Sequence, residues 1–116
     1  MAERDEIEVV VKRFNEAWNN HDLEGALSVT TTDCVFESTG PPPDGRRFEG
    51  RAELRKAWEP IFKDENSHFD WEDIVVGQDH VAQRWRYRWS DGHVRGVDVI
   101  RVRGGKISEK LSYVKG

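Results

Sequence analysis

The feature that most constrains this chain is a change of pattern near residue 67. From there to residue 114, apolar and polar residues alternate in four stretches, 67–76, 80–89, 93–103 and 106–114, separated by glycine-containing turns. A period of two is the mark of a half-buried strand. Asp91-Gly92 and Gly104-Gly105 are tight-turn signals between strands. The second half therefore predicts an antiparallel meander of about four strands.

The first half follows a helical period instead. Ile7, Val10, Val11, Phe14 and Trp18 recur at steps of three and four within the first 20 residues, with Ala17 beside them. Glu3, Asp5 and Glu6 place negative charge at the start of that helix, where its dipole favours it. Asn19-Asn20-His21-Asp22 breaks the pattern, and Asp22 is suited to cap a shorter helix carrying Leu23, Ala26, Leu27 and Val29. After the punctuation of Thr30-Thr31-Thr32-Asp33, Cys34-Val35-Phe36 has strand character. Gly40-Pro41-Pro42-Pro43-Asp44-Gly45 then reads as a stiff surface loop. Gly50 precedes a third helix with Leu54, Ala57, Trp58, Ile61 and Phe62 on one side, which Pro60 is predicted to kink or end. Helix, helix, strand, helix and meander make an α+β fold, and 116 residues suit one domain, 1–116.

Charge and special residues narrow the function. Eighteen Lys and Arg against 22 Asp and Glu leave a net charge of −4, which does not suit a nucleic-acid binder. A single cysteine, Cys34, excludes an internal disulfide framework, and its apolar strand predicts a buried, inert thiol. The four histidines form no ligating pair, so no metal is expected, and no glycine-rich phosphate loop implies a nucleotide cofactor. No segment has the apolar length of a membrane span, and the charged opening residues lack a signal-peptide pattern. A cytoplasmic protein is the expectation.

Strand parity singles out one residue. If Asp91-Gly92 forms the centre of its hairpin, Trp89 faces Val94, Trp85 faces Asp98 and Gln83 faces Ile100. The core face then carries Gln83, Trp85, Tyr87, Trp89, Val94, Asp98, Ile100 and Val102. Arginines dominate the other face, where Asp70, Glu72 and Asp73 of the preceding strand are expected to pair with them. Asp98 is a carboxylate among apolar residues. A charge there costs several kcal/mol unless it is compensated. It either finds a hydrogen-bond partner or keeps its proton and acts as a donor. Asp98 is thus the candidate catalytic residue, as acid or base, and the alternative is a structural acid bonded to an indole N–H or to a helix residue. The parity of the last strand has two solutions. A regular turn points Glu109, Leu111 and Tyr113 one way; a bulge substitutes Lys110, Ser112 and Val114, and an inward Lys110 would pair with Asp98.

Twelve aromatic residues, each able to bury roughly 150–250 Å², offset a modest apolar content of 36%. Phe14, Trp18, Phe36, Trp58, Phe62, Trp85 and Trp89 come from every element and converge either as an ordinary solid core or, with Ile100, as the lining of a pocket for a small apolar or carbonyl-bearing ligand.

Phe14-Asn15-Glu16-Ala17-Trp18 with Asp22-Leu23-Glu24, Asp33-Cys34-Val35-Phe36, Phe48-Glu49-Gly50, and Gly96-Val97-Asp98-Val99-Ile100-Arg101-Val102 with Gly105-Lys106-Ile107 resemble the nuclear transport factor 2-like superfamily. The likeness is to its SnoaL-like branch and spans essentially the whole chain. It implies a cone: a curved antiparallel sheet wrapped around three helices, with an internal pocket and commonly a dimer, here expected through the outer sheet face. The superfamily hosts isomerases, dehydratases, cyclases, hydrolases and binding modules, so the resemblance implies a fold more than an activity. Set beside its ketosteroid isomerases, Asp98 resembles their protonated oxyanion-hole acid. Phe14 stands where they have a tyrosine donor, and Ser38 where they have a base, with Glu37 on the opposite parity. Steroid isomerisation by that route is not expected. The expectation is a ligand-binding protein, with proton transfer by Asp98 if it is an enzyme, and a non-catalytic binding or dimerising module as the alternative.

Overall fold

The computed structural model describes residues 4–115; Glu3, placed by sequence at the start of the first helix, lies outside them. Helix α1 spans Arg4–Asn19 and α2 spans Leu23–Ser28. Asp22 caps α2 by accepting a hydrogen bond from the Gly25 amide at 2.9 Å. His21 turns the chain between the helices with a positive φ of 56°. Strand β1 is Thr30–Glu37, so the three threonines belong to the strand and do not precede it. Their branched side chains suit an extended backbone. A short strand that sequence reasoning missed, β2, spans Arg47–Glu49 and folds back on β1.

Helix α3 runs Arg51–Lys63 and does not end at Pro60. Ile61 and Phe62, beyond the proline, pack against the same core as Leu54 and Trp58, which compensates for the one lost backbone hydrogen bond. The meander follows as β3 (His68–Val76), β4 (His80–Trp89), β5 (Gly92–Arg103) and β6 (Lys106–Val114). The sheet order is β2-β1-β6-β5-β4-β3, antiparallel throughout except for the parallel β1–β6 pair. This curved, unclosed sheet covers the helices on one side.

The β4–β5 register differs from the sequence expectation by two residues. Trp89 pairs with Gly92, Tyr87 with Val94, Trp85 with Gly96 and Gln83 with Asp98. Ser90 and Asp91 form the turn, and neither they nor Gly92 adopts the positive φ that a type I′ turn at Asp91-Gly92 requires. A slip of two leaves every side chain on its expected face. It also seats Gly96 beneath Trp85. A Cβ at position 96 would lie 2.6 Å from the indole ring and collide with the Tyr113 carbonyl as well.

On the outer face the arginines meet the acids of β3. Arg84 pairs with Asp73, Arg88 with Asp70 and Arg95 with Glu72. A bulge between Trp71 and Asp73 makes Glu72 the extra residue. Arg103 reaches Asp33 of β1, and Arg101 hydrogen-bonds His80. Hydrogen bonds from Arg88 and Arg84 hold Asp70 and Asp73 below the usual carboxylate range. Such pairing stabilises the fold above about pH 4 and is lost as pH falls through the depressed values, and exposure keeps each contribution small. Urea unfolding midpoints should therefore fall between pH 7 and pH 3, and less steeply for Asp70→Asn/Asp73→Asn. An identical pH slope in the variant would contradict the assignment.

Candidate functional site

A bulge in β6 builds the site. Arg101 pairs with Glu109 and Val102 with Ile107, leaving Ser108 as an extra residue whose hydroxyl donates to the Arg101 carbonyl at 3.2 Å. The bulged solution for the last strand is thus the one adopted. Lys110 and Ser112 turn inward and Tyr113 is exposed, while Val114, at the end of the strand, is exposed as well. Asp98 lies directly opposite Ser112 and is 1% exposed.

These three side chains form one hydrogen-bonded chain. Ser112 donates to Asp98 Oδ1 at 2.7 Å, and Lys110 Nζ donates to Ser112 Oγ at 2.9 Å. Lys110 Nζ lies 3.5 Å from Asp98 Oδ2. The partners of Asp98 are therefore on the adjacent strand, and neither an indole nor a helix residue supplies them. The ammonium also faces two rings, with the Phe36 and Trp18 centroids 4.9 and 5.1 Å away. Cation–π attraction strengthens when the cation is shielded from water, as here. A second polar pair lies nearby. Asn15 of α1 and Gln83 of β4 exchange reciprocal amide hydrogen bonds at 2.6 and 3.1 Å.

The chain faces a cavity of about 380 Å³ at the open end of the cone. Of the predicted lining, Trp18, Phe36 and Trp85 reach it. Phe14, Trp58, Phe62 and Ile100 are buried in the solid core beneath, and Trp89 is 39% exposed at the rim of the sheet. Those core rings brace Trp18, whose ring lies 5.2 Å from Trp58 and 4.5 Å from Phe62 between centroids. The sequence reading missed Phe48, Phe69, Tyr87 and Val94, along with Ile61 and Ala57 of α3 as cavity residues. Phe48 was hidden in unrecognised β2, whereas Tyr87 and Val94 were on the assigned core face and signalled their position by parity. Asp98 itself does not line the cavity. It communicates with it through Ser112 and Lys110, which do.

The wall is rich in donors. The indole N–H groups of Trp18 and Trp85 are buried without a hydrogen-bond partner among the described residues. Arg46 lines the cavity mouth and forms no ion pair among the described residues, whereas neighbouring Arg47 is held by Glu37 and Glu49. Ser38 also lines it, but its hydroxyl is occupied, donating to the Gly40 carbonyl and accepting from the Arg46 amide. Among the described residues, no Asp or Glu lines the cavity. Cys34 is fully buried, and burial, reinforced by the Asp33 charge, pushes its thiol up to about 12. Among the described residues no cluster of three His, Cys, Asp or Glu is placed to hold a metal, and no helix is long and apolar enough to cross a membrane.

Residues 11–110 match the family of SnoaL-like domains. The chain belongs to this family. Its fold recurs in solved structures. An NTF2-like (nuclear transport factor 2-like) protein of unknown function from Mesorhizobium loti is 36% identical, with a TM-score of 0.90 over 100% of this chain and 96% of that one. A putative ketosteroid isomerase from Kribbella flavida is 14% identical, with a TM-score of 0.84 over 97% and 80%. A putative polyketide cyclase from Xanthomonas campestris is 19% identical, with a TM-score of 0.73 over 97% and 92%. No curated protein matches the sequence.

Two outcomes test this geometry. Lys110→Met strands the Asp98 charge in the core and should cost about 3–5 kcal/mol. Adding Asp98→Asn should recover part of that loss in denaturant melts, whereas strictly additive losses would rule out the coupling. Cys34 should resist thiol reagents at pH 8 in the folded protein and react fully in denaturant. Rapid labelling of the native protein would place the thiol elsewhere.

Proposed function

We propose that the protein binds a small, largely apolar molecule in the cone cavity. The carrying observation is the cavity itself: about 380 Å³, walled by aromatic residues, with a buried ammonium and hydroxyl converging on it. A concave apolar site with a few fixed polar groups is the general form of a small-molecule site. Its family is compatible with this reading, since proteins of the same fold include a putative ketosteroid isomerase and a putative polyketide cyclase. Lys110 donates to an acceptor on the ligand, a carbonyl being the simplest, while Asp98 and Ser112 hold the ammonium in place. The aromatic rings supply most of the contact area.

Proton transfer is the second reading, favoured by the continuous chain from Asp98 through Ser112 to Lys110. In it Asp98 is the acid or base, acting through its neighbours on a carbonyl-bearing ligand. Base-driven abstraction directly inside the cavity is poorly supported, because among the described residues no carboxylate lines it and the Ser38 hydroxyl is already engaged. Binding without turnover is therefore the leading function.

Ala57 of α3 lines the cavity, so Ala57→Phe should fill it with little cost in stability. Bicyclic aromatic ligands should quench tryptophan fluorescence in the parent and fail to do so in that variant. Equal quenching in both would move the binding site out of the cone. For the second reading, Asp98→Asn with Lys110→Met should abolish any turnover found, and undiminished turnover would exclude Asp98 from the chemistry.

A further inference from the structure

The polarity of the cavity wall carries a conclusion about the ligand that rests on the binding reading above. Among the described residues, every charged side chain that lines the cavity is a cation: Lys110 in the wall and Arg46 at the mouth. Lys110 has three N–H donors. One goes to Ser112 at 2.9 Å. The Asp98 oxygen at 3.5 Å is well beyond the roughly 2.7–2.9 Å of a strong charge-assisted bond, so the ammonium retains donor capacity on the side of the aromatic faces. Among the described residues Arg46, unlike its neighbour Arg47, has no carboxylate partner. The unpartnered indole N–H groups of Trp18 and Trp85 belong to the same wall. A ligand amine would meet only like charge here, and a neutral hydrocarbon would leave the ammonium with its remaining capacity unmet.

We propose that the cavity selects an organic anion: a compact aromatic or alicyclic carboxylate, of one or two rings. Its apolar body lies against Trp18, Phe36, Phe48 and Phe69. Its carboxylate accepts from Lys110, and Arg46 steers it in and closes over the mouth. Asp98 has a defined part in this arrangement. Its charge keeps the ammonium in place in the empty cavity, and its longer contact leaves that ammonium available to a better-placed acceptor.

Three probes of matched shape separate the possibilities: 2-naphthoate, 2-naphthamide and 2-naphthylmethylamine, titrated into the full chain at neutral pH and followed by calorimetry and by tryptophan fluorescence. The expected order is carboxylate first, by about tenfold or more over the amide, with the amine weakest. Arg46→Gln should weaken 2-naphthoate by a larger factor than 2-naphthamide and flatten the salt dependence of carboxylate binding. Lys110→Met/Asp98→Asn, which removes both charges together, should bring carboxylate and amide to within about threefold of each other. Amide binding as tight as carboxylate, or tightest binding by the amine, overturns the anion assignment while leaving the cavity a binding site. Binding of none of the three overturns the cavity reading, and the assignment falls with it. Should the double variant not fold, the parent series and Arg46→Gln decide the matter alone.

Discussion

One extra residue in the last strand decides what this protein's interior contains. With Ser108 bulged out of the β5–β6 ladder, Lys110 and Ser112 face the helices. Without the bulge their places would fall to Glu109, Leu111 and Tyr113, and a second carboxylate would enter the core near Asp98. Two buried acids cannot both remain charged at close range. The bulge instead gives Asp98 a hydroxyl donor and an ammonium, both from the strand beside it. Breaking such a buried pair costs several kcal/mol, although the intact pair contributes little net stability. Its value lies in fixing one arrangement of polar groups at the cavity wall.

The rest of the site is a consequence of packing around that chain. Phe14, Trp58 and Phe62 fill the cone below and hold Trp18 edge-on, so that its ring lies under the ammonium. Phe36 and Phe48 stack at 5.8 Å on one flank, and Phe69 stands between Trp85 and Tyr87 on the other. Gly96 leaves room for the Trp85 indole, which forms part of the wall. The wall is therefore stiff and mostly apolar, with polar groups that are already oriented. Under the proposed binding function, such a wall would spend little free energy on reorganisation. The outer face has a separate role, with Arg84, Arg88, Arg95 and Arg103 tied to the acids of β3 and β1.

Much of this was legible in the sequence, and the exceptions have physical causes. The four strands of the meander and the inner face they present followed from alternation alone. The β4–β5 register was misplaced by two residues, because a dipeptide suited to a type I′ turn is a local signal and the indole of Trp85 over Gly96 is a tertiary one. Short β2 was invisible: three residues are too few to show a period. Pro60 was read as a kink or an end, and buried Phe62 holds the helix past it. For the site, aromatic residue type could not separate floor from wall. Trp18, Phe36 and Trp85 reach the cavity, while Phe14, Trp58, Phe62 and Ile100 lie under it. Asp98 stood out as an acid on an apolar face. The side of β6 that answers it depended on a bulge, which no local sequence signal announces.

The central claim is a buried, paired ammonium at the wall of the cavity, and nitrogen-detected NMR of the lysine side chains tests it directly. An ammonium shielded by Trp18 and Phe36 and bonded to Ser112 should exchange protons slowly with water and give a ring-shifted signal at neutral pH. That signal should vanish in Lys110→Met/Asp98→Asn. A spectrum in which every lysine ammonium exchanges at the rate of a free side chain would mean that position 110 looks outward, and the site described above would not exist.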